Sequence, residues 1–263
     1  MSVTSQHEEL TTNDGVTAQS ALVIRFRGDP ERLQSTFLPP ALEPVGDGDT
    51  GWAIVSRTIL PTMYRPREDP RLPTKLTEAA VAIPARYESE QYTFSPLTFF
   101  DRHSPGFRRG IVRGIGSIEK TKWHVACPTR SSIEPGQALA GTATHRGQSV
   151  LSATLDIERE TSADEAFPDG FFDFAHYRHL PDPLAGEESD GLVADVTSMH
   201  CPAFSVGSVW EGPTTLEFGQ WNDGVLADLV EEVLGGYHAT FGFTYEGERT
   251  LAPASGTWGD HLE

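Results

Sequence analysis

The stretch SALVIRFRGDPERLQSTFLPPALEP, residues 20–44, decides how this chain is read. Its opening SALVIRF is an apolar run rich in branched side chains, the signature of a buried strand. Asp29 then precedes Pro30. An Asp side chain can cap the free N–H groups of a first helical turn, and proline's fixed φ suits the position after it, so a short helix is expected over 29–37. The prolines of LPPALEP stop that helix and carry the chain out extended.

Working outward, further strand-like runs are GWAIVSRTIL (51–60), TEAAVAIPARY (77–87), YTFSPLTFF (92–100), RGIVRGIGSIEKTKWHVA (109–126), QALAGTATH (137–145), QSVLSATLDIER (148–159), FSVGSVWEG (204–212) and TTLEFGQ (214–220). DGVLADLVEEVLG (223–235) reads instead as a helix, with Val225, Leu226, Leu229, Val230 and Val233 on one face and Gly235 to end it. Many strands with Gly and Pro turns predict a β-rich barrel or sandwich with few open edges. Residues 1–20 are polar and aperiodic and read as a flexible tail, residues 21–263 as one domain, and LPDPLAGEESDG (180–191) as a long loop.

Composition removes several functions. A net charge of −18 argues against a nucleic-acid partner, because phosphate binding rests on clustered Lys and Arg. No run approaches the length of a membrane span, and residues 1–20 lack the basic and apolar regions of a signal peptide, so a cytoplasmic protein is expected. Cys127 and Cys201 are too few for a disulfide framework. Combined with His124 and His200 they lack the usual zinc-ligand spacing, and neither a metal nor a cofactor is expected. GIGSIEK lacks the glycine spacing of a phosphate loop, and no G-x-S-x-G elbow is present. The basic residues comprise 17 Arg and only three Lys: Lys75, Lys120 and Lys122.

Several segments, in order, resemble the acetoacetate decarboxylase superfamily. IRFRGDPERLQSTFLPPALEP is similar to its strand, Asp-Pro helix and Pro-Leu-Glu-Pro exit, LTEAAVAIPARY to its Tyr-Thr-Glu strand, and LAGTATHRGQSVLSATLDI to its paired Gly-Thr-Leu and Ala-Thr strands. RHLPDPLAG, VGSVWEGPTTLEFG and LVEEVLGGYHATFGFTY resemble the longer-chain branch. The resemblance implies a β-rich fold closed around an apolar central cavity, a homo-oligomer, and a small-molecule substrate of the oxo-acid type. It also places Arg27 as a substrate-binding residue and Glu78 as a catalytic one, both expected to project into one pocket.

The resemblance breaks at the family's central motif, approximately G-F-P-K-K-L-G-S-I, whose first Lys forms a Schiff base with a ketone. That chemistry needs a neutral amine, kept so by an apolar pocket and a neighbouring cation; acetoacetate decarboxylase is the standing example of the principle. Here GSI recurs at 116–118, and counting back without gaps puts Arg113 on the lysine and Gly114 beside it. A gapped register deletes the lysine pair instead. A third register, giving up GSI, brings Lys120 or Lys122 into the role, and these two residues share one strand face. Arg cannot replace Lys, since a guanidinium stays charged and is not an amine nucleophile. GWAIVSRTIL also lacks the acid that the family commonly carries in that strand.

The reading is therefore a divergent lyase-like enzyme using Glu78 and Arg113, with Arg27, for acid–base chemistry on a small oxo acid or β-dicarbonyl compound, without a Schiff base. Cyclisation, dehydration, aldol and isomerase steps all suit such a site. Two alternatives stay open: a Schiff-base decarboxylase or aldolase-dehydratase using Lys120 or Lys122, and a non-catalytic small-molecule binding protein on the same fold.

Overall fold

The computed structural model describes residues 16–60, 74–100, 116–125, 133–181 and 192–253. β1 (Val16–Arg27) leads into helix α1 (Pro30–Phe37), as the opening stretch demands. Asp29 caps the helix by accepting from the Arg32 N–H at 2.7 Å, Pro30 occupies its first turn, and Leu33 and Phe37 bury its inner side. β1 begins at Val16, so the end of the expected tail, residues 16–20, is strand; residues 1–15 lie outside the described residues.

The remaining elements are β2 (Glu43–Pro44), β3 (Thr50–Leu60), β4 (Thr74–Tyr87), β5 (Glu90–Phe100), β6 (Gly116–Val125), β7 (Ala138–His145), β8 (Gln148–Asp156), β9 (Arg159–Thr161), α2 (Ala163–Ala166), β10 (Phe174–Pro181), β11 (Leu192–His200), β12 (Ala203–Gly212), β13 (Thr214–Phe218), β14 (Glu232–Thr244) and β15 (Gly247–Pro253). α2 opens with a reciprocal capping box between Ser162 and Glu165. No helix among the described residues is long and apolar enough to cross a membrane.

The strands form one extended sheet in the order β13-β8-β7-β6-β5-β4-β3-β1-β14-β12-β9, with β10, β11 and β15 branching from β5. The β-rich expectation holds. Among the described residues no pairing joins β13 to β9. Most pairings are antiparallel, but β5 runs parallel to both β6 and β10.

The helix expected over 223–235 is absent. Asn222, Asp223, Gly224 and Asp228 all have positive φ, which no α-helix accommodates, and the segment folds as tight turns. Leu226 and Leu229 still bury into the core from those turns, which explains their helix-like spacing. Residues from Glu232 onward join β14, which pairs with β1 from Arg27↔Glu232 to Val16↔Thr244.

In β1, alternate residues face opposite ways. Leu22, Ile24 and Phe26 enter the main core with Val55, Ala79 and Val81. Phe26 lies over Gly51, its cross-strand partner, where an added Cβ would meet the ring at 2.3 Å; glycine is required there by that close approach. The other face carries Ala21 and Val23 with Trp52, Ile54 and Ala80, and it is covered by Phe167, Phe171 and Phe241.

Candidate active site

This second face holds the polar residues. Direct cross-strand pairing aligns Gln19 with Thr58 and with Phe241, Ser56 with Ala21 and Glu78, and Glu78 with Phe100. Because opposed residues project to the same side, these side chains converge on one wall. From the covering layer, β10 brings His176 beside Ser95 of β5, and β11 brings Met199. The result is a cavity of about 50 Å³ lined mainly by apolar side chains, with Gln19, Thr58, Glu78, Ser95 and His176 as its polar groups. Space on this scale holds a few waters or one small molecule.

Gln19 Nε2 donates to Ser56 Oγ at 2.7 Å, which fixes the amide against the wall. Thr58 is buried, and its hydroxyl has no hydrogen-bond partner among the described residues, so it can serve a bound molecule. His176 is buried at 5% exposure. Among the described residues, no group of three or more His, Cys, Asp or Glu side chains is arranged to hold a metal ion.

Of the residues expected from sequence, Glu78 lines this cavity. Arg27 does not. It is exposed, with its Nε 3.3 Å from Asp49 and a second ion pair to Glu232. The expectation of a shared pocket fails on distance along the strand: Glu78 aligns through Ser56 with Ala21, six residues from Arg27, or about 20 Å at the rise of a strand. Arg113 lies outside the described residues. The backbone of Lys120 and Lys122 runs in β6 opposite Thr144 and Thr142, past a register shift between Ile118 and Lys120.

Sequence reading missed Gln19, Thr58, Ser95 and His176. Gln19 had a detectable signal, a polar residue at the same parity as Ala21 and Val23 in an otherwise apolar strand. His176 had none, because its segment shows no clean alternation.

A family model described as acetoacetate decarboxylase (ADC) matches residues 3–254. The chain belongs to the acetoacetate decarboxylase family. No curated protein matches it. Among solved structures, an acetoacetate decarboxylase-like enzyme from Sphingomonas wittichii RW1 superposes with a TM-score of 0.77 at 22% identity, over 92% of this chain and 94% of that one. The enduracididine biosynthesis enzyme MppR, complexed with the condensation product of pyruvate and imidazole 4-carboxaldehyde, gives 0.71 at 21%, over 90% and 88%. An acetoacetate decarboxylase from Legionella pneumophila gives 0.64 at 19%, over 91% and 88%. At these identities the likeness establishes the fold alone.

Proposed function

We propose that this family member is an acid–base enzyme for a small oxo acid or β-dicarbonyl compound, working without a Schiff base. The observation that carries the reading is the convergence of Glu78 and His176 on one small, largely apolar cavity. A carboxylate and an imidazole facing one small space can give and take protons from a single bound molecule.

Glu78 removes a proton from the carbon next to the substrate carbonyl, and negative charge moves to the carbonyl oxygen. The Thr58 hydroxyl and the second Gln19 amide proton are the neutral donors on the same wall for that oxygen. His176, on the covering layer, returns a proton on the opposite side. This sequence serves enolisation, dehydration and aldol steps alike. Membership of a family with oxo-acid chemistry, and a solved relative holding a pyruvate adduct, support the substrate class.

The lysine count supports the absence of a covalent intermediate. With Lys75, Lys120 and Lys122 as the only lysines, the register anchored on GSI leaves Arg113 or a gap at the amine's place. Arg113 is then the cation that attracts an acidic substrate, in place of the expected Arg27.

The test is proton exchange. Incubated with pyruvate in heavy water, the protein should speed loss of the methyl proton signal, and Glu78→Gln should lower that rate about 100-fold or more, within the range of general acid–base catalysis. Borohydride added to the same mixture should leave the intact mass unchanged. A stoichiometric adduct on Lys120 or Lys122 would overturn the mechanism in favour of the Schiff-base reading. Binding without any exchange, in the wild type as in the variant, would favour a binding protein.

A further inference from the structure

Two residues beyond Val23 on the cavity face of β1, Arg25 stands directly opposite Trp52 of β3. Its guanidinium carbon lies 5.8 Å from the centre of the indole ring, within reach of a cation–π contact. Acidic residues outnumber basic ones in this chain by 38 to 20, so an Arg has carboxylates in excess to choose from. Arg27, next on the same face, takes Asp49 and Glu232. Arg25 takes none among the described residues.

Arg25 and Trp52 also line a hollow of about 180 Å³ between the Val45–Thr50 turn, the start of β5 and the Pro168–Phe171 turn. The Nε of Arg25 and the indole Nε1 of Trp52 are both buried without an acceptor. Both are donors, so the complement missing from this wall is an oxygen acceptor, and a carboxylate answers the charge as well. Asp47 and Asp169, both exposed, and Asp49, held by Arg27, line the same hollow, where they disfavour a second negative charge on a ligand. Phe171 lines both this hollow and the Glu78 cavity, and therefore stands between them.

We propose that the hollow is a second ligand site, which binds the carboxylate of a small organic monoacid through Arg25 with Trp52 as its platform. It is separate from the Glu78 cavity and stands whether or not that cavity is catalytic. The guanidinium supplies a planar two-pronged contact that lysine cannot reproduce.

Saturation-transfer NMR titrations of the full chain with acetate, glycine and neutral acetamide test this. Acetate or glycine should bind in the millimolar range and acetamide at least tenfold more weakly. Arg25→Gln should weaken the carboxylates at least tenfold and Arg25→Lys at least threefold. Glycine binding tighter than acetate would add Asp47 and Asp169 as partners of its ammonium group; equal or weaker binding would identify a plain monoanion. If Arg25→Gln fails to fold by circular dichroism, Arg25→Lys decides. The proposal falls if acetamide binds as well as acetate, if no carboxylate binds by 50 mM, or if the Arg25 variants bind like wild type. It falls equally if binding is lost in Glu78→Gln and kept in the Arg25 variants, which would move the carboxylate into the cavity.

Discussion

The two faces of the β1–β3–β4 sheet treat polarity in opposite ways, and their histidines mark the contrast. On the core face, His238 is 2% exposed, and its Nε2 is 2.9 Å from the Ser20 hydroxyl. Burial pushes its pKa down to about 4 from the ordinary 6.5, which keeps it neutral. On the other face His176 is also buried, yet it borders open space shared with Glu78, Gln19 and Thr58. Polarity on the core face is sealed inside the fold. Polarity on the cavity face borders space that the fold leaves empty.

The largest effect should come from the core face. Phe26→Ala removes a fully buried ring packed edge-on to Phe218 at 5.5 Å, and should cost about 3–5 kcal/mol in urea unfolding. Next comes the His238 titration. Because the folded state holds a lowered pKa, the unfolded chain takes up a proton first as pH falls below about 6.5, so stability is full above that value and is lost down to about 4. The loss should be about 3 kcal/mol, and His238→Gln should flatten it. The smallest effect belongs to the cavity face: Ser56→Ala, which removes the acceptor for Gln19, should cost about 1 kcal/mol or less. A Ser56→Ala cost close to that of Phe26→Ala would break the comparison, making the cavity wall a core like the other.

These faces also separate what the sequence revealed from what it concealed. The strand, cap and proline exit of 20–44 are local signals, and the structure follows them because Asp29, Pro30 and the apolar alternation act within a few residues. Glu78 was legible through its motif. Arg27 was misplaced because strand parity says which face a residue takes and nothing about how far along that face the cavity extends. The 223–235 segment misled for another reason. Its apolar spacing is produced by turns that set Leu226 and Leu229 into the core, and the left-handed residues that break the helix are Asn and Asp, which sequence tolerates in either conformation. His176 depends on the β5–β10 pairing, a contact between segments distant in the chain, which no local pattern carries.

The position of β1 between β3 and β14 has a consequence during synthesis. β1 reaches its final place only when Thr244 can pair with Val16, so one edge of β1 stays open until β14 has left the ribosome. During that interval the apolar residues Leu22, Val23 and Ile24 sit on an unpaired strand edge, the kind of surface that recruits chaperones or other nascent chains. Folding of this sheet is thus gated by translation of β14. Losing β14 by truncation would leave the β1 edge and both of its faces incomplete rather than trim a terminus.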